Sequence, residues 1–257
     1  MVEYVEAAIL AGITEMGFSD HLGRYYLGKA QRKRYWDWGM SERDLARYFN
    51  EVMDVKALFA DRIVIRLGLE VDYVEGAEHL IENIVSHYPF DYLLGSIHCI
   101  PALGWEHLSQ YTKSDPEKTY KLYFAAARAA IESGLFQSLA HIDFLWRYII
   151  WPESGRLELA DYISDVVSAS KKSTTDLEIN ANGYIWSRAH YVKESDPFDL
   201  FLESIGAHSA RITMGSDAHA PQMVAKLFPD IVTVLKSKGI SQVSLFERKN
   251  RTLAELG

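Results

Sequence analysis

The feature that most restricts this chain is an alternation. Six times, a short run rich in β-branched and aliphatic residues gives way, after a loop, to a stretch whose apolar residues repeat with helical spacing. The runs are "TEMGFS", "RIVIRLGLE", "DYLLGSIH", "FQSLAHIDF", "TTDLEIN" and "ARITMGSD", with "QVSLF" as a further one close to the end. Between them, helices are expected over 41–60, near 76–88, over about 116–133, near 158–171, near 197–206 and near 221–238. Ser41 opens the first of these with acidic residues in its first turn, and Gly134 stops the third. Another helix starts the chain, with Val2, Val5, Ile9 and Leu10 on one face and Gly12 as its end. Strands joined through helices run parallel, so an α/β fold follows, either a closed barrel or an open doubly wound sheet. The 257 residues suit one barrel, which takes about 250. No low-complexity stretch or shift in composition marks a linker, and residues 1–257 read as a single domain.

The strands end in polar residues. "GFSDH" closes on Asp20 and His21, "GLEVD" on Glu70 and Asp72, and "GSIH" on His98. "AHIDF" carries His141 and Asp143, "EINAN" carries Asn180 and Asn182, and "GSDAH" carries Asp217 and His219. In parallel α/β folds the carboxyl ends of the strands share one rim, and sites form there. One histidine at a strand end is ordinarily a hydrogen-bonded structural residue. Four of them (His21, His98, His141 and His219), with Glu70 and Asp217 at matching positions, point to a metal centre. Imidazole and carboxylate donors suit zinc, iron or manganese rather than calcium, and the choice among the three stays open. The other histidines, His79, His87, His107, His190 and His208, lie on helices or loops and are expected to face solvent, with His190 also placed to line a cleft.

Bulk properties remove several classes of function. A formal charge of −8 argues against nucleic acid as a partner, because sequence-blind binding needs Lys and Arg to neutralise phosphates. The single cysteine, Cys99, allows neither an internal disulfide nor a thiolate zinc site, and it fits a reducing compartment. No apolar run reaches the roughly 18 residues of a membrane-spanning helix. "MVEYVEAAIL" is acidic where an export signal is basic, so a cytoplasmic protein is expected. Ser96 and Ser216 sit in "GSI" and "GSD", outside the G-x-S-x-G elbow of a serine hydrolase.

"GFSDH", "GLEVDY", "YPFDYLLGSIH", "AHIDF", "LEINANG" and "GSDAH", in this order and spacing, resemble the PHP (polymerase and histidinol phosphatase) superfamily. They are most similar to its stand-alone histidinol-phosphatases, from about residue 3 to the end. The resemblance implies a distorted seven-stranded (β/α) barrel with up to three divalent metal ions. It also implies hydrolysis of a small phosphorylated substrate, L-histidinol phosphate, to L-histidinol and phosphate in histidine biosynthesis. Carried over by motif, Glu70, His98 and His141 hold one metal and Glu70 bridges to a second. Asp217 belongs to that second metal, and His21 with His219 to a third. The family pattern begins with a strand carrying His-x-His, whereas the first residues here already correspond to the helix after it. The expectation is that about 15–25 native residues precede Met1. The alternative is a natively short chain, a weakened enzyme or a metal-binding protein.

The implied chemistry is in-line attack on phosphorus by a water ionised between two cations, with the metals offsetting charge on the phosphoryl oxygens. Asp217 and His219 belong to that reacting centre. A guanidinium clamp on the phosphate is expected from Arg147 in "HIDFLWRY", with Arg188 in "GYIWSRAH" as the second candidate. Asp20 and Asp143 are candidates for orienting the histidines, and Asp72 has no assignment. The loop "GRYYLGKAQRKRYWDWGM", residues 23–40, is basic and aromatic together. It reads as a lid that draws in an anionic phosphate, although such a mixture in isolation also suits single-stranded nucleic acid. Another phosphoesterase or a nuclease is the nearest alternative, because the same centre hydrolyses diesters.

Overall fold

The computed structural model describes residues 1–22, 26–27, 39–111, 115–151, 156–191 and 196–257. Its main sheet is built from β1 (Glu15–Phe18), β2 (His21–Leu22), β3 (Val64–Asp72), β4 (Tyr92–Ser96), β5 (Ser138–Leu139), β6 (Asp176–Asn180) and β7 (Ile212–Gly215). β1 and β2 keep one register along β3, with Phe18 opposite Leu67 and His21 opposite Glu70. The Glu70 amide donates to the Asp20 carbonyl at 3.1 Å across the break between them. They are two pieces of one strand, which leaves six strands in the order β1/β2, β3, β4, β5, β6, β7. Every neighbouring pair is parallel, as the helical crossovers require.

The helices are α1 (Val2–Leu10), α2 (Leu45–Leu58), α3 (Glu78–Val85), α4 (Pro116–Glu132), α5 (Arg156–Lys172), α6 (Ala181–His190), α7 (Pro197–His208) and α8 (Phe228–Ser237). Their starts follow local chemistry. Asp115 accepts from the Lys118 amide ahead of α4, and Asp196 from the Phe198 amide ahead of α7, each followed by a proline in the first turn. Ser41 and Asp44 bond reciprocally in the 3-10 turn that leads into α2. The core lies between helices and sheet. Val52 of α2, Ile81 of α3, Tyr123 of α4, Ile163 of α5 and Phe201 of α7 are buried with Leu69, Leu93 and Leu177 of the strands. Each such side chain contributes about 1.5–3 kcal/mol on burial. On α1 the buried residues are Val5 and Ala8, while Leu10 faces solvent. No described helix is long and apolar enough to cross a membrane.

The sheet is a curled parallel half-barrel of six strands, in keeping with a distorted (β/α) barrel that lacks its first strand; among the described residues it stays open between β1 and β7. "QVSLF" forms β8 (Gln242–Glu247), which pairs antiparallel with β9 (Asn250–Glu255) instead of extending the sheet. Arg248 and Lys249, at φ 48° and 65°, supply the two left-handed residues that a tight hairpin turn requires. Asp91 anchors this turn, its carboxylate accepting from the Arg248 amide at 3.0 Å and its carbonyl from the Lys249 amide at 2.7 Å. "FQSLAHIDF" yields only the short β5, because the chain leaves the sheet at His141 and enters a 3-10 turn over Ile142–Arg147. The helix expected from 221 starts at Phe228, after a 3-10 turn over Pro221–Met223. Helix α6 was not expected. Asn180 nucleates it by accepting from the Gly183 amide at 3.2 Å. Of the basic aromatic loop, all but residues 26–27 and 39–40 lie outside the described residues.

Candidate metal centre

Parallel strands bring their carboxyl ends to one rim, and the registers decide which side chains meet there. His21 stands opposite Glu70, Glu70 opposite Leu94, and Asp72 opposite Ser96. His98 follows the end of β4 and His141 follows the end of β5. His21, Glu70, His98 and His141 open on a cleft of about 1900 Å3, lined from both β1 and β7, whereas Asp72 and Ser96 lie behind its wall.

Glu70, His98 and His141 form one compact set of donors, each offering an atom within 4.8 Å of the others. Glu70 Oε1 lies 3.1 Å from His141 Nε2 and 3.7 Å from His98 Nε2. Two donors bound to one zinc at about 2.0–2.2 Å with tetrahedral angles are about 3.3 Å apart, so these separations fit a shared ion. His98 and His141 are buried, and burial alone disfavours an ionised carboxylate beside them. The three imidazoles of His141, His21 and His98 outweigh that cost and hold Glu70 well below the usual carboxylate range. Burial pushes the His98 imidazole down, against the pull of Asp72. Burial also opposes charge on His141, but Glu70, Asp217 and Glu178 override it and raise this imidazole to about 9. This set is electronegative enough to hold a positive charge, whether proton or metal.

A second compact set, His21, Asp72 and His98, shares His98 with the first. Asp72 Oδ1 is 2.6 Å from His98 Nδ1 and 3.5 Å from His21 Nε2. Asp72 thus bonds a histidine ring of the centre, whereas the two aspartates expected to do so have other partners. Asp143 accepts from Arg147 Nε at 2.6 Å, and Asp20 acts through its backbone, which pairs with Glu70.

Two site residues sit in left-handed backbone conformations that cost a non-glycine residue about 1–2 kcal/mol: His141 at φ 25° and Asp217 at φ 47°. Contacts hold both. The His141 amide donates to Glu178 Oε2 at 2.8 Å, and the Asp217 carbonyl accepts from Asn182 Nδ2 at 2.9 Å. Glu178 is buried; burial, reinforced by Asp217 and partly offset by His141, pushes its carboxyl up to about 7. Gly215 is required beside it, since any Cβ there would collide with the Glu178 carboxylate.

Asp217 and His219 stand at the same cleft but in neither compact set. His219 Nδ1 is 3.6 Å from Asp217 Oδ1, and its ring is 82% exposed. Arg147 lines the cleft with its side chain only 10% exposed. Asp143 and Asn180 Oδ1 (3.2 Å) grip one side of its guanidinium, leaving Nη1 directed at Asp217, 4.0 Å away. Arg188 is placed elsewhere. Asp196 at 2.8 Å and Asp199 at 2.7 Å occupy its guanidinium, and it does not line the cleft. Those ion pairs tie α6 to the start of α7, away from the place expected for a phosphate clamp.

The sequence names Asp72 at a strand end without giving it a role, places His107 in solvent, and gives no reading of Glu178. Asp72 lies two residues after Glu70, on the same face of β3. Glu178 lies between Leu177 and Ile179 in the wholly buried strand β6, on the same face as Asp176 and Asn180, and that alternation was its available signal. His107 does not face solvent as expected. The segment after β4 folds back, pairing Cys99 with His107, and stacks the His107 ring on His98 with centroids 5.4 Å apart and planes 9° apart. His79, His87 and His190 are exposed and His208 is half-buried; His190 also lines the cleft, stacked on Trp186.

The PHP domain family matches residues 1–182. Over 96% of its length the chain is 30% identical to a protein of Deinococcus radiodurans named probable histidinol-phosphatase, of which it covers 90%. It is 24% identical to the histidinol-phosphatase of Lactococcus lactis, with 95% of this chain and 87% of that protein aligned. The crystal structure of the Lactococcus lactis enzyme, in complex with zinc, L-histidinol and phosphate, superposes with a TM-score of 0.73 at 21% identity. That superposition covers 97% of this chain and 91% of the other.

Proposed function

Because the chain belongs to the PHP domain family, we propose that it is a divalent-metal-dependent phosphomonoesterase acting on L-histidinol phosphate. The observation that carries this reading is the Glu70–His98–His141 cage with the Arg147 guanidinium in the same cleft. Glu70, His98 and His141 would hold one ion, while His21, Asp217 and His219 would supply ligands for further ones at the rim. A divalent cation held by these residues would supply charge neutralisation at the phosphoryl group and a source of ionised water near neutral pH. Arg147, already stripped of most of its solvent, clamps the phosphate through Nη1 and orients it toward the cage. The aromatic walls contributed by Phe144, Tyr148 and Trp186 suit the imidazole end of the substrate. In this reading the protein is one domain, works in the cytoplasm and takes no nucleic acid.

The test compares phosphate release from L-histidinol phosphate, p-nitrophenyl phosphate and a dinucleotide by zinc- or manganese-loaded protein. The reading expects the first to be hydrolysed fastest and Glu70→Ala to abolish turnover. A preference for the dinucleotide would make the protein a nuclease, and no hydrolysis by fully loaded protein would refute the phosphatase.

A further inference from the structure

The two compact donor sets compete for one ring. His98 belongs to Glu70/His98/His141 and to His21/Asp72/His98, yet a neutral imidazole has one lone pair and one N–H. Distances decide which nitrogen carries the proton. Donors sharing an ion with bonds of about 2.0–2.2 Å stand about 3.3 Å apart at tetrahedral angles and about 2.9 Å at right angles. His98 Nδ1 and Asp72 Oδ1 are 2.6 Å apart, too close for co-ligation and right for an N–H donating to a carboxylate. On the other side of the ring, His98 Nε2 and Glu70 Oε1, at 3.7 Å, have room for an ion between them.

We propose that Asp72 is the positioning residue of the centre: it fixes His98 as the Nδ1–H tautomer, aims the Nε2 lone pair at the ion shared with Glu70 and His141, and is not itself a ligand. Oδ1, the oxygen that faces both histidines, is already committed. Oδ1 accepts from His98 Nδ1 at 2.6 Å and from Ser96 Oγ at 3.1 Å, which uses both of its lone pairs. His21 Nε2, at 3.5 Å from the same atom, is spaced as a co-ligand would be, but no lone pair is left there for an ion. The carboxylate is also rigid. Asp72 is 3% exposed, its backbone is in register with Ser96, and its carbonyl accepts from Tyr26 Oη. Glu70 and Asp72, two residues apart on one face of β3, thus divide the work on His98: one shares its ion, the other sets its ring.

The inference rests on the metal reading of the site and not on its substrate, so every readout is taken without substrate. The experiment uses the full chain, metal-free and titrated with zinc. Ring 15N spectra, with His98 assigned through His98→Gln, report the tautomer. A chromophoric chelator in competition reports zinc affinity and the number of ions bound. Wild-type His98 should carry its proton on Nδ1 before zinc is added. Asp72→Asn keeps an acceptor oxygen, and should keep that tautomer and a zinc Kd within ~3-fold of wild type. Asp72→Ala should populate Nε2–H and weaken zinc ~10–100-fold, with the same number of ions bound at saturation. Loss of one zinc equivalent in Asp72→Ala would make Asp72 a ligand and overturn the proposal. An Asn variant as weak as Ala would show that charge rather than acceptance matters, and would also overturn it. If the Ala variant does not fold, the wild-type spectrum still decides: a His98 proton on Nε2 refutes the assignment.

Discussion

In the metal-free protein, a proton on His141 stands in for the cation. Burial works against the charged ring, but Glu70 at 3.1 Å, with Asp217 and Glu178 beyond, raises it from 6.5 to about 9. A folded-state pKa above the unfolded value means that folding takes up a proton in the interval between them. The resulting stabilisation is complete below about 6.5 and is lost as pH rises through about 9. At about 1.4 kcal/mol per pH unit, that interval is worth about 3 kcal/mol for this fully buried group. Glu70 behaves oppositely: its folded pKa is depressed, so its share is present above 4.5 and fades on acidification. Urea unfolding of chelator-stripped protein between pH 6 and 9.5 measures the His141 share. Wild type should lose about 3 kcal/mol more than His141→Gln over that range. Zinc, which takes the imidazole lone pair and expels the proton, should abolish the difference in slope. Parallel pH profiles for wild type and variant without metal would refute the electrostatic coupling on which the cage depends.

Arg147→Ala should raise KM for a phosphomonoester at least ~10-fold, or ~1.4 kcal/mol, and an unchanged KM removes Arg147 from the substrate site. Gly183→Ala would drive a methyl group into the Asp143 carboxylate that grips Arg147. It should lower stability by about 1–3 kcal/mol in urea melts and raise KM in the same direction as Arg147→Ala. An unchanged KM in that variant would separate Asp143 from the clamp. Because its ring is 82% exposed, His219→Ala should leave metal-free stability within about 0.5 kcal/mol while lowering kcat at least ~10-fold. Full activity in His219→Ala would exclude it from the reacting centre.

Glu70, His98 and His141 were legible because each closes an apolar strand with a polar side chain, and parallel strands send those ends to one rim. Asp72 was legible as a strand-end carboxylate by the same logic, but its role depends on where His98 sits after β4, which the sequence of β3 does not record. Arg188 was not legible in this way. Its partners Asp196 and Asp199 reach it only through the packing of α6 and α7, which no local pattern records. His107 depends likewise on a fold-back after β4 that brings a loop residue against His98. The hairpin of β8 and β9 escaped because "NRTLAE" is too polar to look like a strand, and its turn is built from Arg248 and Lys249 rather than glycine. Residues that end regular elements are thus readable from sequence, whereas those positioned by tertiary pairing are not.

The most direct measurement is an anomalous difference map at the zinc edge from crystals of zinc-loaded protein. A peak within bonding distance, about 2.0–2.2 Å, of Glu70 Oε1, His98 Nε2 and His141 Nε2, with His98 Nδ1 still bonded to Asp72, is the predicted result. Zinc bound elsewhere, with Glu70 still hydrogen-bonded to His141 Nε2 and no ion beside His98 Nε2, would contradict it.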